Sequence, residues 1–258
     1  MRIAVHAGFH KTGTTTFQNL ILANREKAPA GLHFEVPGLA WTNALRFALQ
    51  DYHVTPSADR LQMVRDLISQ MIGDCVAAGT NTLFISLESI CGRVFGPWER
   101  GLYPTARPVL ETICEVSSGH ELIFLFSTRE PVSWIRSLHA HMTRRNGLRM
   151  PLSKFSNIRS FENIDWDELF KSLTDGLDAD VRSTSLQTTQ RLRLGPLSDL
   201  LEPFVDQSLL SRWEPVPASN KSLPPKAISL IQAWPVRIMP DSLRGMIVRK
   251  MIANSKRS

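Results

Sequence analysis

Apolar positions along the chain alternate between short runs and helical stripes. Ile3–His6 is a brief apolar run opening into a glycine-bearing turn, and Thr15–Asn24 then carries apolar residues at helical spacing, which predicts strand, loop and helix. Leu61, Val64, Leu67, Ile68, Met71 and Ile72 share one face of a helix over Leu61–Val76, and Thr82–Leu87 reads as the buried strand after it. Pro108–Val116 predicts another helix, Leu122–Phe126 a very apolar strand, and Pro131 the first turn of the helix that follows. Further on, Val181–Ser185 has the character of a strand and Leu197–Phe204 of a helix, while the Pro- and Ser-rich stretch Trp213–Pro225 predicts a loop. Strands alternating with helices imply an α/β fold with a parallel sheet covered on both faces. No repeat, linker or shift of composition divides the chain, so a single domain over residues 1–258 is expected, with the tail from about 241 to 258 peripheral.

Composition narrows the class. With 258 residues, 43% of them hydrophobic and 21% charged, the chain can bury a sizeable core. Its apolar runs fall well short of the roughly 18 residues that span a bilayer. Arg2, His6, His10 and Lys11 interrupt any secretory hydrophobic region, so a soluble, cytoplasmic protein is expected. Cys75, Cys91 and Cys114 are odd in number and lack metal-ligand spacing, which predicts reduced, mostly buried thiols and no metal site. The net charge of +6 favours an anionic partner without distinguishing nucleotide, nucleic acid or acidic lipid. Arg136, Arg144, Arg145 and Arg149 cluster after one strand, and Arg244, Arg249, Lys250, Lys256 and Arg257 crowd the C-terminus, where they read as a solvated helix end.

The densest chemical signal is G-F-H-K-T-G-T-T, Gly8 to Thr15, directly after the first strand. Glycines in such a turn let main-chain N–H groups face an anion at a helix N-terminus, the frame of a P-loop. A Walker loop, however, has lysine directly after its second glycine; here that place is Thr14, and Lys11 stands two residues before Gly13. Lysine and magnesium together neutralise the dense charge of a triphosphate. A phosphosulfate carries less charge, and lysine with main-chain amides suffices to stabilise a departing 5′-phosphate without a metal.

With its flanking residues, His10 to Gln18, H-K-T-G-T-T-T-F-Q, the loop resembles the 5′-phosphosulfate loop of sulfotransferases that use 3′-phosphoadenosine 5′-phosphosulfate (PAPS), above all the bacterial and carbohydrate-type members. The resemblance implies that Lys11, Thr12, Gly13, Thr14, Thr15 and Thr16 contact the phosphosulfate, with Lys11 assisting departure of the nucleotide. A second segment, S-T-R-E-P-V-S-W-I-R-S from Ser127 to Ser137, is similar to the family's 3′-phosphate site and implies that Arg129 and Ser137 bind that phosphate. Glu88, in F-I-S-L-E-S, stands at a strand exit comparable to that of the catalytic glutamate in carbohydrate sulfotransferases, and His10 is the reserve base. A weaker match, N-K-S-L-P from Asn220 to Pro224, implies a closing loop whose Lys221 touches the 3′-phosphate. His139 and His141 belong to no ligand cluster and read as packing or helix-surface residues.

The expectation that follows is a three-layer α/β fold of P-loop type, with a central parallel sheet flanked by helices. It transfers a sulfuryl group from PAPS to a hydroxyl or amine of a small-molecule, carbohydrate or lipid acceptor. Neither nucleic acid nor a transmembrane segment enters this scheme. The alternatives are a P-loop kinase or NTPase, with Glu88 at a metal, and a nucleotide-binding protein without catalysis.

Overall fold

The computed structural model of the protein describes residues 1–94, 101–145, 148–217, 246 and 250. Two compact units emerge: Met1–Glu130 with Asp165–Ser219, and a second whose described core is Pro131–Ile164.

The first unit is an α/β structure built on a five-stranded, wholly parallel sheet among the described residues. Its strands are β1 (Arg2–His6), β2 (Leu32–Glu35), β3 (Thr82–Ser86), β4 (Glu121–Thr128) and β5 (Asp180–Ser185), in the order β2-β3-β1-β4-β5. Parallel strands are buried on both faces and therefore read as near-continuous apolar runs. Ile3, Ala4 and Val5 are fully buried, as are Leu83 and Phe84 of β3 and Phe124 and Phe126 of β4 within about one percent.

Helices cover the two faces. Alternation along the strands sends Ala4, Phe34, Phe84, Ile123 and Leu125 to one side, against Phe17, Leu20 and Ile21 of α1 (Thr14–Asn24) and against Leu194, Leu197, Leu201 and Trp213 from the end of the unit. On the other side α2 (Ala40–Val54), α3 (Ala58–Ala77) and α4 (Ala106–Val116) pack in succession. The three-layer α/β arrangement expected from the alternating pattern is therefore present.

The expected helix over Leu197–Phe204 is instead a 3₁₀ turn, Ser198–Leu201. Leu197 takes φ 65, which breaks a right-handed helix at its first residue, and Pro203 withholds a backbone donor near its end.

The second unit contains α5 (Pro131–Arg145) and α6 (Leu152–Phe155). Trp134 packs edge-on against Phe161, with centroids 5.7 Å apart, and Phe155 meets Phe161 at 5.1 Å. His139 is a packing residue, as its sequence context suggested: it is buried, and its Nε2–H donates to the Met150 carbonyl at 2.9 Å. No helix among the described residues is long and apolar enough to cross a membrane.

Candidate functional site

The loop after β1 lies at the carboxyl ends of the parallel strands, where β1 is flanked by β3 and β4. The connection from β1 runs toward the β2 edge and that from β4 toward β5, and such a switch point opens a ligand crevice. Two left-handed residues shape the loop. Gly13 has φ 106 and precedes α1, while Lys11 has φ 67, a conformation that costs a non-glycine residue about 1 kcal/mol. Thr16 and Phe17 donate to the Gly13 carbonyl at 3.1 and 3.3 Å. For the preceding N–H groups of Thr12, Gly13, Thr14 and Thr15, no main-chain acceptor is found among the described residues. Four consecutive donors at the positive end of an eleven-residue helix form a cradle of the kind that suits an anion.

A directed chain of hydrogen bonds braces the cradle from below. The Thr12 hydroxyl donates to the Phe9 carbonyl at 2.6 Å, so at 2.7 Å it accepts from Ser127. Ser127 in turn accepts from His6 Nε2 at 3.2 Å, which leaves His6 Nδ1 to accept from Ser86 at 2.8 Å, and Gln18 Nε2 donates to the Ser86 carbonyl at 3.0 Å. The carbonyl at the far end thereby dictates the tautomer, with the proton on Nε2. Complete burial lowers the His6 pKa to about 3, so the ring is neutral across the ordinary range. His6, Ser86 and Ser127 share the α1 face of the three central strands, which explains three polar residues in an otherwise apolar layer. Gly8 completes the brace: a Cβ there would stand 2.6 Å from Thr14 Oγ1 and 2.8 Å from His6 Nε2. Thr12 is thus an internal strut whose hydroxyl is consumed within the protein, while its N–H has no main-chain acceptor among the described residues.

Aromatic packing holds the loop's other side. Phe9 stacks on Tyr103 at 4.5 Å, on Trp166 at 5.3 Å and on Phe126 at 5.5 Å. The Tyr103 hydroxyl accepts the His10 N–H at 2.9 Å and lies 3.4 Å from His10 Nδ1. Burial, ahead of the neighbouring Cys91 and Glu88, keeps the Tyr103 phenol well above its usual pKa and hence protonated.

On the β4 side of the loop, Arg129 is half-buried and donates from Nη1 to the Lys11 carbonyl at 3.3 Å, while its own carbonyl accepts from Trp166 Nε1 at 2.8 Å. Burial pulls its pKa down against the opposing Glu130 charge. Ser137 belongs to α5 of the second unit, where its buried hydroxyl has no hydrogen-bond partner among the described residues. Lys221 lies outside the described residues, as do Arg244, Arg249, Lys256 and Arg257 of the basic tail.

On the β3 side, Glu88 opens a 3₁₀ turn, Glu88–Ile90, directly beyond the strand. The pairing of His6 with Ser86 aligns the ends of β1 and β3, so the loops beyond them meet. Glu88 and His10 accordingly line one cavity of about 480 Å³, with Gln18 from α1, Arg46 and His53 from α2, and Arg93. No ion pair or hydrogen bond engages the Glu88 carboxylate among the described residues. His53 is buried and held at both nitrogens, accepting from Thr105 at 2.7 Å and donating to the Ser89 carbonyl at 3.0 Å. Burial, partly offset by its backbone hydrogen bonds, lowers its pKa to about 4.

Sequence reasoning missed Tyr103, Arg46 and Arg93. The signal for Arg46 was present in the i, i+4, i+8 spacing of Arg46, Gln50 and Val54, one face of one helix. Among the described residues no group of three His, Cys, Asp or Glu side chains is placed to hold a metal ion. The chain matches no family model and no curated protein sequence.

Proposed function

We propose that the protein is a sulfotransferase that moves a sulfuryl group from PAPS to an acceptor hydroxyl. The observation that carries this reading is the anion cradle Thr12–Thr15 with an unpaired carboxylate in a cavity on one side and a guanidinium on the other. The loop's resemblance to the 5′-phosphosulfate site supports the same assignment.

In the proposed reaction Glu88 accepts the hydroxyl proton as the acceptor oxygen forms its bond to sulfur. The bond from sulfur to the bridging oxygen breaks, and its electron pair remains on the 5′-phosphate. The products are a sulfate ester, 3′-phosphoadenosine 5′-phosphate and one proton. Lys11 and the amides of Thr12, Gly13, Thr14 and Thr15 stabilise the charge that collects on the departing phosphate. Arg129 reads the 3′-phosphate, a role that the sequence resemblance also gives to Ser137 and Lys221. His10, beside Glu88 in the cavity, is the alternative base.

Calorimetric titration tests the donor assignment. The desulfated product should bind at least ~30-fold more tightly than AMP or Mg-ATP, the ratio for about 2 kcal/mol of charge-assisted hydrogen bonding to the extra phosphate. In Arg129→Ala that preference should collapse. Equal affinity of the unmodified protein for AMP and the 3′-phosphorylated nucleotide refutes the sulfotransferase reading.

A further inference from the structure

The cavity beside Glu88 carries two guanidinium groups for which the transfer step has no use. Arg46 comes from α2 and Arg93 from the segment after the Glu88–Ile90 turn, and both are exposed at the cavity. Neither forms an ion pair among the described residues. The Arg46 guanidinium sits 5.0 Å from the centroid of the Phe47 ring, a contact that holds a cation in place without neutralising it.

Among the described residues the charge balance of the lining is one-sided. Among the described residues Glu88 supplies its one carboxylate, and the proposed mechanism assigns that group to the proton. His53 is neutral and its nitrogens are occupied. The Gln50 amide and the Val54 side chain, one and two turns beyond Arg46 on the same face of α2, extend the wall without altering its charge. Two like charges bordering an open cavity are most stable with an anion between them.

Topology says which substrate that anion belongs to. Arg129 follows β4, whereas Glu88 follows β3 and α2 lies between β2 and β3 in the chain, so the two sets of groups flank β1 from opposite sides. A donor whose 3′-phosphate is read by Arg129 extends toward β4 and leaves the β3 side to the acceptor. The volume of about 480 Å³ suits a small molecule, within the range of about 300–1,000 Å³ typical of ligand pockets.

We propose that the acceptor is itself an anion, a hydroxyl compound of mono- or disaccharide size whose carboxylate or phosphate is held by Arg46 and Arg93 while its hydroxyl reaches Glu88. The assignment of donor and acceptor sides rests on the sulfuryl-transfer reading. Planar guanidinium groups match both anions in a two-point fashion that a neutral hydroxyl cannot reproduce.

Matched pairs differing only in charge test this: glucuronic acid against its methyl ester, and glucose 6-phosphate against glucose. Each is titrated into the full chain by calorimetry, with and without 3′-phosphoadenosine 5′-phosphate, and the two pairs separate a carboxylate preference from a phosphate preference. In at least one pair the charged member should bind about tenfold or more tightly than its neutral partner. Arg46→Gln with Arg93→Gln should remove most of that preference while leaving affinity for the bisphosphate nucleotide unchanged. Equal binding within both pairs, no binding by either pair, or a preference that survives in the double variant overturns the proposal. Nucleotide binding without charge preference would retire the anionic acceptor alone. Charge preference without nucleotide binding would retire the transfer reading and leave an anion-selective cavity.

Discussion

Acidification from about pH 7 to about pH 5 should expose the two buried histidines as a stability liability. An unfolded histidine takes up a proton below its ordinary pKa of about 6.5, whereas folded His6 and His53 wait until about 3 and about 4. Through this window the unfolded state binds more protons, so stability is complete above the unfolded value and is lost as pH falls toward the folded ones. Between about 6.5 and 5 each histidine is offset by roughly 1.5 pH units at 1.36 kcal/mol per unit, or about 2 kcal/mol each and about 4 kcal/mol together. Against a total stability of about 5–15 kcal/mol, that is a large share. Carboxylates titrate over the same range, so the informative quantity is a difference between variants. Urea unfolding followed by circular dichroism at the two pH values gives the loss for the unmodified chain, for His6→Gln and for His53→Gln. Each substitution removes one titrating ring, and each should shrink the pH-induced loss by about 2 kcal/mol, whatever it does to stability at neutral pH. An identical loss in all three proteins would refute the neutral, desolvated state of these histidines and with it the directed hydrogen-bond chain beneath the loop.

Lys11→Ala should lower kcat by about 10²-fold or more under saturating donor while weakening donor binding less; unchanged turnover removes Lys11 from the mechanism. Glu88→Gln should reduce kcat by roughly 10²- to 10⁴-fold with donor affinity near that of the unmodified protein, and full activity in this variant combined with loss in His10→Ala moves the base to His10. Gly8→Ala places a methyl group 2.6 Å from Thr14 Oγ1 and should cost about 1–3 kcal/mol of stability by urea titration, together with donor affinity; a fully stable variant that binds normally would show that the cradle is not braced as described.

The legible parts of the fold were those whose local pattern agrees with their burial. β1, β3 and β4 announce themselves because strands buried on both faces are apolar throughout, and α3 does so because Val64, Ile68, Met71 and Ile72 recur at helical spacing on its buried side. β2 is four residues long and contains His33 and Glu35, with Glu35 buried beside its His33 partner, so its sequence has no strand signature. α2 buries Thr42 and His53 among its apolar residues, which blurs the amphipathic stripe. The loop was legible for a similar reason: its glycines, lysine and threonines are contiguous. The cavity wall was not, because Arg46 and Glu88 lie more than forty residues apart and are joined only through a sheet in which β3 lies between β1 and β2.

The left-handed backbone of Lys11 sets stability and chemistry against each other at a single position. Glycine would adopt φ 67 without penalty, so Lys11→Gly relaxes the folded state even as the larger freedom of the unfolded chain offsets part of the gain. Folding alone therefore gives little reason for a long cationic side chain there, whereas the proposed sulfuryl transfer gives one. Under the proposed function residue 11 becomes a diagnostic letter: a variant with glycine keeps its architecture and loses the cation, whereas lysine carries the strained conformation and keeps a charge in the loop.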